Sequence, residues 1–253
     1  MKTQYILIKV ILILSINLIN SQEINGIVTY STYRNKNNIK NIEPIKNLTL
    51  FDKKIKKEIK QLRLSLVFSR NKSSFTCIEP MHKDQAEKRV HFIAKILQKV
   101  YPSYYTNKTQ YIEEKDLGGE VFLIKNKIDI NDWTLVNEKK KIGRYTCYKA
   151  TRDYSFINSK GNKKTNKQIV WYTLEIPIHF GPKNFVGFPG LVLKVEDGSL
   201  VYEAIKIILN HKEGVELKKP PKGKEISQEE YDKIQEESSI TIRREMKKRK
   251  NEK

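Results

Sequence analysis

Cysteine, histidine, glycine and proline are all scarce in this chain of 253 residues, and each shortage excludes a class of protein. Two cysteines, Cys77 and Cys147, cannot build a zinc ribbon or the disulfide framework of a small secreted scaffold. The four histidines, His82, His91, His179 and His211, contain no i, i+4 pair that would grip a metal from one helix face. Glu79 and His82 could meet on one face of a turn, but a single such pair is not a site, so no metal is expected. Eleven glycines and eight prolines are too few for a low-complexity or collagen-like chain. No Gly-x-Ser-x-Gly nucleophile elbow is present. Paired carboxylates of the glycosidase kind depend on tertiary separation and are neither supported nor excluded. No catalytic residue and no cofactor are therefore assigned from motifs.

What the chain has in excess is positive charge. Lys and Arg number 49 against 29 Asp and Glu, a formal net charge of +20, while 38% hydrophobic residues can supply a packed core. Charge of that size by itself suggests nucleic acid or an anionic surface as partner. The amino terminus redirects the argument. Lys2, an apolar stretch from Tyr5 to Ile19 broken by Lys9, and then Asn20 and Ser21 follow the order of a secretory signal peptide. The apolar run after Lys9, Val10 to Leu14, falls far short of the roughly 20 residues of a membrane-spanning helix, and no later run approaches that length. Residues 1–21 are thus expected to be a signal peptide, placing the protein in the periplasm or at the cell surface, without integral membrane character once the signal is removed. Cleavage after Ser21 takes Lys2 and Lys9 with it and leaves +18. Export separates the protein from nucleic acid. The remaining charge is dispersed along the chain, and two uses stay open: a solvated surface, or attraction to anionic lipid that salt would weaken.

Alternation dominates the pattern. Leu62, Leu64, Leu66 and Phe68 recur with a period of two, which predicts a strand with one buried face. Further strands are expected at Ile24 to Tyr33, Tyr104 to Ile112, Glu120 to Lys125, Trp133 to Asn137, Ile142 to Tyr154, Gln168 to Ile176, Leu191 to Val195 and Leu200 to Leu209. Asp197-Gly198 between two apolar runs is a hairpin signal. Asp84 with Glu87 can cap a helix carrying Val90, Ile93, Ile96, Leu97 and Val100 at helical spacing. The lysine-rich stretch Asn35 to Lys60 is read as a long surface loop. Lys218-Lys219-Pro220-Pro221 ends the last strand, and Ser227 with Glu230 opens a solvated, charged helix. The expectation is one mainly β domain (α+β class) over residues 22–217. It would hold a large antiparallel twisted sheet or partly closed barrel with one core helix, followed by a charged helical tail over 218–253.

The densest motif is WYTLEIPIHFGPKNFVGFPGLVLKVED, Trp171 to Asp197, preceded by Trp133-Thr134-Leu135 and by Gly143 to Ala150. Pro189-Gly190 suits the two central positions of a type II turn, because proline fixes φ near −65° and glycine accepts positive φ. Gly181-Pro182 marks a second turn, so the loop between them presents Phe185 and Phe188 either as a rigid ligand or partner platform or as a plug for the end of the core. The plug reading expects substitution of Gly190 to damage folding and Phe188→Leu to be tolerated. This segment resembles the GLPGLI family of Bacteroidota envelope proteins, whose hexapeptide stands here as Gly187-Phe188-Pro189-Gly190-Leu191-Val192. The resemblance implies a secreted β-rich protein without established biochemical activity, an envelope accessory sometimes associated with TonB-dependent outer-membrane transport. Cys77 and Cys147 lie in strand-like segments of a chain bound for an oxidising compartment, where they are either a disulfide or two buried thiols.

Three functions from different classes follow. The first is a non-enzymatic binding or accessory protein serving an envelope or outer-membrane transport or assembly complex, with Phe185, Gly187, Phe188, Pro189 and Gly190 as its candidate ligand or partner loop. The second is a carrier of an apolar ligand in a half-barrel cavity, and the third a hydrolase with an unrecognised site. Exported protein is expected to begin near Gln22 by intact mass; a cytosolic chain retaining Met1 would contradict the signal reading.

Overall fold

The computed structural model describes residues 24–35, 49–81, 84–107, 110–157, 163–211 and 213–251, so the expected signal peptide and residues 36–48 lie outside the described residues. Twelve strands form one open sheet: β1 (Asn25–Arg34), β2 (Arg63–Ser69), β3 (Lys72–Cys77), β4 (Ser103–Asn107), β5 (Gln110–Leu117), β6 (Glu120–Lys127), β7 (Thr134–Ile142), β8 (Tyr145–Ile157), β9 (Lys163–Thr173), β10 (Leu191–Asp197), β11 (Leu200–Leu209) and β12 (Lys224–Ser227). Their order is β12-β6-β5-β4-β3-β2-β1-β11-β10-β9-β8-β7. β12 runs parallel to β6, and the other pairs are antiparallel. Among the described residues there are three helices: α1 (Leu50–Gln61), α2 (Gln85–Leu97) and α3 (Gln228–Asn251). The mainly β class expected from the alternation is the observed one, as a mixed sheet that does not close.

Four local expectations are corrected. The lysine-rich stretch holds helix α1 over its last part, started by a capping box in which Thr49 Oγ1 accepts from the Asp52 amide at 3.2 Å and Asp52 accepts from the Thr49 amide at 3.0 Å. Its apolar stripe is narrow, with Ile55 buried and Ile59 packed against the core, so lysines hide the helical period. The strand expected from Tyr104 to Ile112 is two strands, with Asn107 paired to Gln110, and no glycine or proline in the sequence marks the reversal. The segment from Ile142 to Tyr154 is likewise interrupted, since Ile142 pairs with Tyr145 around Gly143, whose φ is +57°. Beyond Pro220-Pro221 the chain re-enters the sheet as β12 before α3 begins. Ser227 and Glu230 form the expected box, and Tyr231 of α3 packs edge-on to Phe122 of β6 at 5.7 Å.

One face of the sheet collects the core. Val28, Tyr30 and Thr32 of β1 are buried, as are Leu64, Leu66 and Phe68 of β2. Register places Tyr30 opposite Leu64, and Leu64 opposite Cys77 of β3, so these side chains share that face. The loop from Leu174 to Gly190 leaves β9 and crosses the same face before returning as β10. Its Phe180 meets Phe68 at 5.8 Å and Tyr105 of β4 at 5.0 Å, and Ser103 Oγ donates to the Lys183 carbonyl at 3.1 Å. Tyr30 Oη, fully buried, donates to the Val192 carbonyl at 2.6 Å, and Tyr202 Oη donates to the Gln98 carbonyl just past α2 at 2.7 Å. The face that would line a half-barrel cavity is thus occupied by the chain's own loop.

Tyr30→Phe is expected to lower the unfolding free energy by about 1 to 2 kcal/mol in denaturant titration, because it leaves a buried carbonyl without that donor. An unchanged midpoint would show that β1 and β10 are not held together through this bond.

Candidate functional site

The structure decides between the two readings of the loop. Phe185 and Phe188 are each 2% exposed, and Phe188 stacks on Tyr172 of β9 at 5.6 Å while Trp133 lies edge-on to it at 5.1 Å. Arg152 places its guanidinium 4.8 Å from the Trp133 ring centre. Aromatic rings so arranged form core, and no aromatic platform faces solvent here. The turn chemistry differs from expectation as well. Positive φ occurs at Gly187 (+92°) and not at Gly190, so Pro189-Gly190 is not a type II turn. Gly190 is required for another reason: a Cβ there would stand 1.9 Å from the Thr173 carbonyl oxygen. His179 pins the loop, its carbonyl accepting from the Gly187 amide at 2.8 Å and its Nδ1 lying 2.7 Å from the Phe188 carbonyl. A carbonyl only accepts, which places the proton on Nδ1.

Cys77 and Cys147 are both buried free thiols. Cys77 ends β3 and Cys147 sits in β8, with five strands between them. Six strand spacings of about 4.8 Å give roughly 29 Å along the sheet, far beyond the about 7 Å that a disulfide spans. The disulfide alternative is not realised.

Cys77 instead belongs to a cluster that linear spacing did not disclose. His91 lies on the buried stripe of α2 with Val90 and Ala94, and its ring is 5% exposed. Its Nδ1 is 2.7 Å from Glu58 Oε1 of α1, and its Nε2 is 3.0 Å from Glu79 Oε2 and 3.9 Å from Cys77 Sγ. Lys95, one turn further along α2, holds the other Glu79 oxygen at 2.6 Å. Three short stretches of chain thus meet at one imidazole: the last turn of α1, the end of β3 with the two residues beyond it, and the middle of α2, which carries the ring. Desolvation raises the Cys77 thiol to about 12, with the Glu79 charge acting in the same direction. Burial also pushes the Glu79 carboxyl up, but Lys95 and His91 outweigh it and hold it below its ordinary value. His82, paired with Glu79 in the sequence reading, lies outside the described residues. Glu79 meets His91 instead. The one legible signal was the Asp84 cap, whose side chain accepts from the Glu87 amide at 2.8 Å and fixes the helical phase that turns His91 inward.

The cluster borders a cleft of about 670 Å³ between α1, α2 and the end of β3, lined among others by Lys57, Glu58, Arg63, Ile78, Met81 and His91. Ile78 and Met81 are exposed at its rim, Met81 almost completely.

Against known proteins, the sequence model of one family, described as a protein of unknown function (Porph_ging), matches residues 157–194. That stretch comprises the whole of β9, the whole loop and the start of β10. No curated protein matches the chain. Among solved structures, PNGF-II in its C2 crystal form is similar with a TM-score of 0.50 at 17% identity, covering 85% of this chain and 33% of that chain. The P21 form of PNGF-II gives 0.49 at 17% identity, covering 83% and 33%. The likeness is one of fold. This chain spans about a third of the length of the PNGF-II chain it matches. Among the described residues no helix is long and apolar enough to cross a membrane.

The corrected loop geometry reverses one expectation. Phe188→Leu should cost about 1 to 2 kcal/mol and Phe188→Ala about 3 to 5 kcal/mol, because both leave a void in a packed aromatic cluster. Gly190→Val should yield no folded protein. Thermal melts check all three, and an unaltered Phe188→Ala melt would return Phe188 to the surface.

Proposed function

We propose that this is an exported, non-enzymatic binding or accessory protein of the cell envelope, of the GLPGLI type, serving an outer-membrane transport or assembly complex. The signal-peptide order of residues 1–21 supports export. The match over residues 157–194 supports the family reading, because it falls on the segment that carries the resemblance. The observation that carries the binding role is the cleft of about 670 Å³ beside α1 and α2, with Ile78 and Met81 exposed at its rim and charged side chains of both signs in its wall. A wall of that composition suits a polypeptide segment better than a lipid chain. The carrier alternative loses its natural site to the loop that lies across the sheet.

The third reading, a hydrolase, draws on a specific arrangement: Cys77, His91 and Glu58 stand in the order of nucleophile, base and orienting carboxylate. Geometry favours binding over that chemistry. The His91 Nε2 that would take the thiol proton is nearer to Glu79, at 3.0 Å, than to Cys77, at 3.9 Å.

A photo-crosslinking residue placed at Met81, in protein expressed in its own envelope, is expected to join one defined envelope polypeptide, and the same residue at the exposed Leu135 of β7 is not. Equal adducts at both sites, or none, would contradict a partner-binding cleft. Native mass spectrometry of the same preparation separates the rival: a bound small apolar molecule would favour the carrier.

A further inference from the structure

We propose that Cys77, Glu79 and His91 form a zinc site, with Glu58 as the carboxylate that orients its histidine. The inference deepens the binding role argued above and gives the cleft a metal at its base. Three different donor atoms converge on one point: the Cys77 sulfur, a Glu79 oxygen and His91 Nε2 all lie within 4.8 Å of one another. A tetrahedral zinc ion with bonds of about 2.0 to 2.3 Å places its ligand atoms about 3.4 to 3.8 Å apart. The observed separations of 3.0 Å from Nε2 to Glu79 and 3.9 Å from Nε2 to Cys77 bracket that range, so side-chain adjustments of less than about 1 Å for these pairs complete the geometry.

The surroundings fit a metal better than any pairwise use of the same groups. Histidines that ligate metals characteristically give their second ring nitrogen to a carboxylate, which fixes the tautomer and aims the free lone pair. Glu58 does this at 2.7 Å from His91 Nδ1, leaving Nε2 turned toward Cys77 and Glu79. Lys95 plays the matching part for Glu79, gripping Oε1 at 2.6 Å so that Oε2 faces the imidazole. A cation between the sulfur and the Glu79 carboxylate would let the thiol give up its proton beside that negative charge. Sulfur with imidazole and a single carboxylate selects zinc over magnesium or calcium, which prefer all-oxygen shells. Three protein ligands leave a fourth position, and the cleft is where a water or a donor atom from a partner would supply it. On binding, the ion replaces the protons carried by the donor atoms, and these go to solvent.

The ligands and Glu58 also come from three separate parts of the fold. His91 comes from α2, Cys77 and Glu79 from the end of β3 and the residues after it, and Glu58 from α1. Metal binding should therefore stabilise the helix pair against the sheet.

The test uses the full mature chain, stripped with a chelator and titrated with zinc, then separately with cobalt as a spectroscopic substitute. The expected results are one tightly held zinc per chain by elemental analysis, a higher melting temperature with zinc, and a thiolate-to-cobalt charge-transfer band with tetrahedral d–d absorption. Cys77→Ser should remove the charge-transfer band. Should that variant fail to fold, Glu79→Gln, whose side chain is 55% exposed, tests the same site and should weaken zinc at least tenfold. Glu58→Gln should weaken it about 10- to 100-fold. Cys147→Ser should leave binding unchanged. Absence of stoichiometric zinc, a cobalt spectrum without a thiolate band, or a band lost with Cys147→Ser would overturn the proposal. So would a Cys77 that binds no metal and is selectively alkylated at neutral pH, which would point to a nucleophile. Crosslinking at Met81 reads the partner role independently, so a protein that captures its partner without zinc would sink the metal alone.

Discussion

The docking of the Leu174 to Gly190 loop across one face of the sheet is the contact on which the rest of the structure depends. An open sheet of twelve strands exposes a long apolar face, and burying it requires a second layer. Here the loop supplies much of that layer, and the helix pair packs beside it against the central strands. Phe180 reaches β2 and β4, while Phe185 and Phe188 reach Trp133 and the β9 aromatics. Strands distant in the sheet order are thereby joined to a single core cluster that runs from Val28 to Tyr202. Backbone bonds from Gly187 to His179, Leu191 to Ile176 and Val192 to Phe180 hold the loop in place once the rings are buried.

Filling that face displaces function to another place. With the sheet's inner surface taken, an accessible concavity lies where α1 and α2 meet the end of β3, and there the chain gathers a thiol, an imidazole and two carboxylates. A buried histidine between carboxylates costs desolvation energy that an apolar residue would not, so its retention points to use rather than to stability. The loop motif and the polar cluster accordingly have different tasks: the first builds the scaffold, the second offers chemistry at its margin.

Much of the scaffold was legible in the sequence because its signals are local. Leu64, Leu66 and Phe68 alternate, and they are buried; Asp197-Gly198 turns a hairpin between β10 and β11; Asp84 caps α2. Helix α1 was not legible, because its lysines mask a stripe only two isoleucines wide. Strand β12 escaped because a parallel pairing with β6, about a hundred residues earlier, leaves no local trace. The loop motif was recognisable as structural punctuation, yet its glycines act differently from a simple turn: Gly187 carries the positive φ and Gly190 the close approach to Thr173. The polar cluster was out of reach, since Glu58, Cys77, Glu79 and His91 are united only by packing α1 on α2 and both against the sheet.

The measurement that tests the central claim most directly is native-state hydrogen exchange at the amides that fasten the loop, Gly187 within it and Leu191 and Val192 of β10, which donate to loop carbonyls. If the loop is core, these amides exchange only through global unfolding, at the rate of β1 and β2, and slow in step with overall stability. Exchange on the timescale of surface loops while the strands stay protected would contradict the account, and would reopen the sheet face as a ligand cavity.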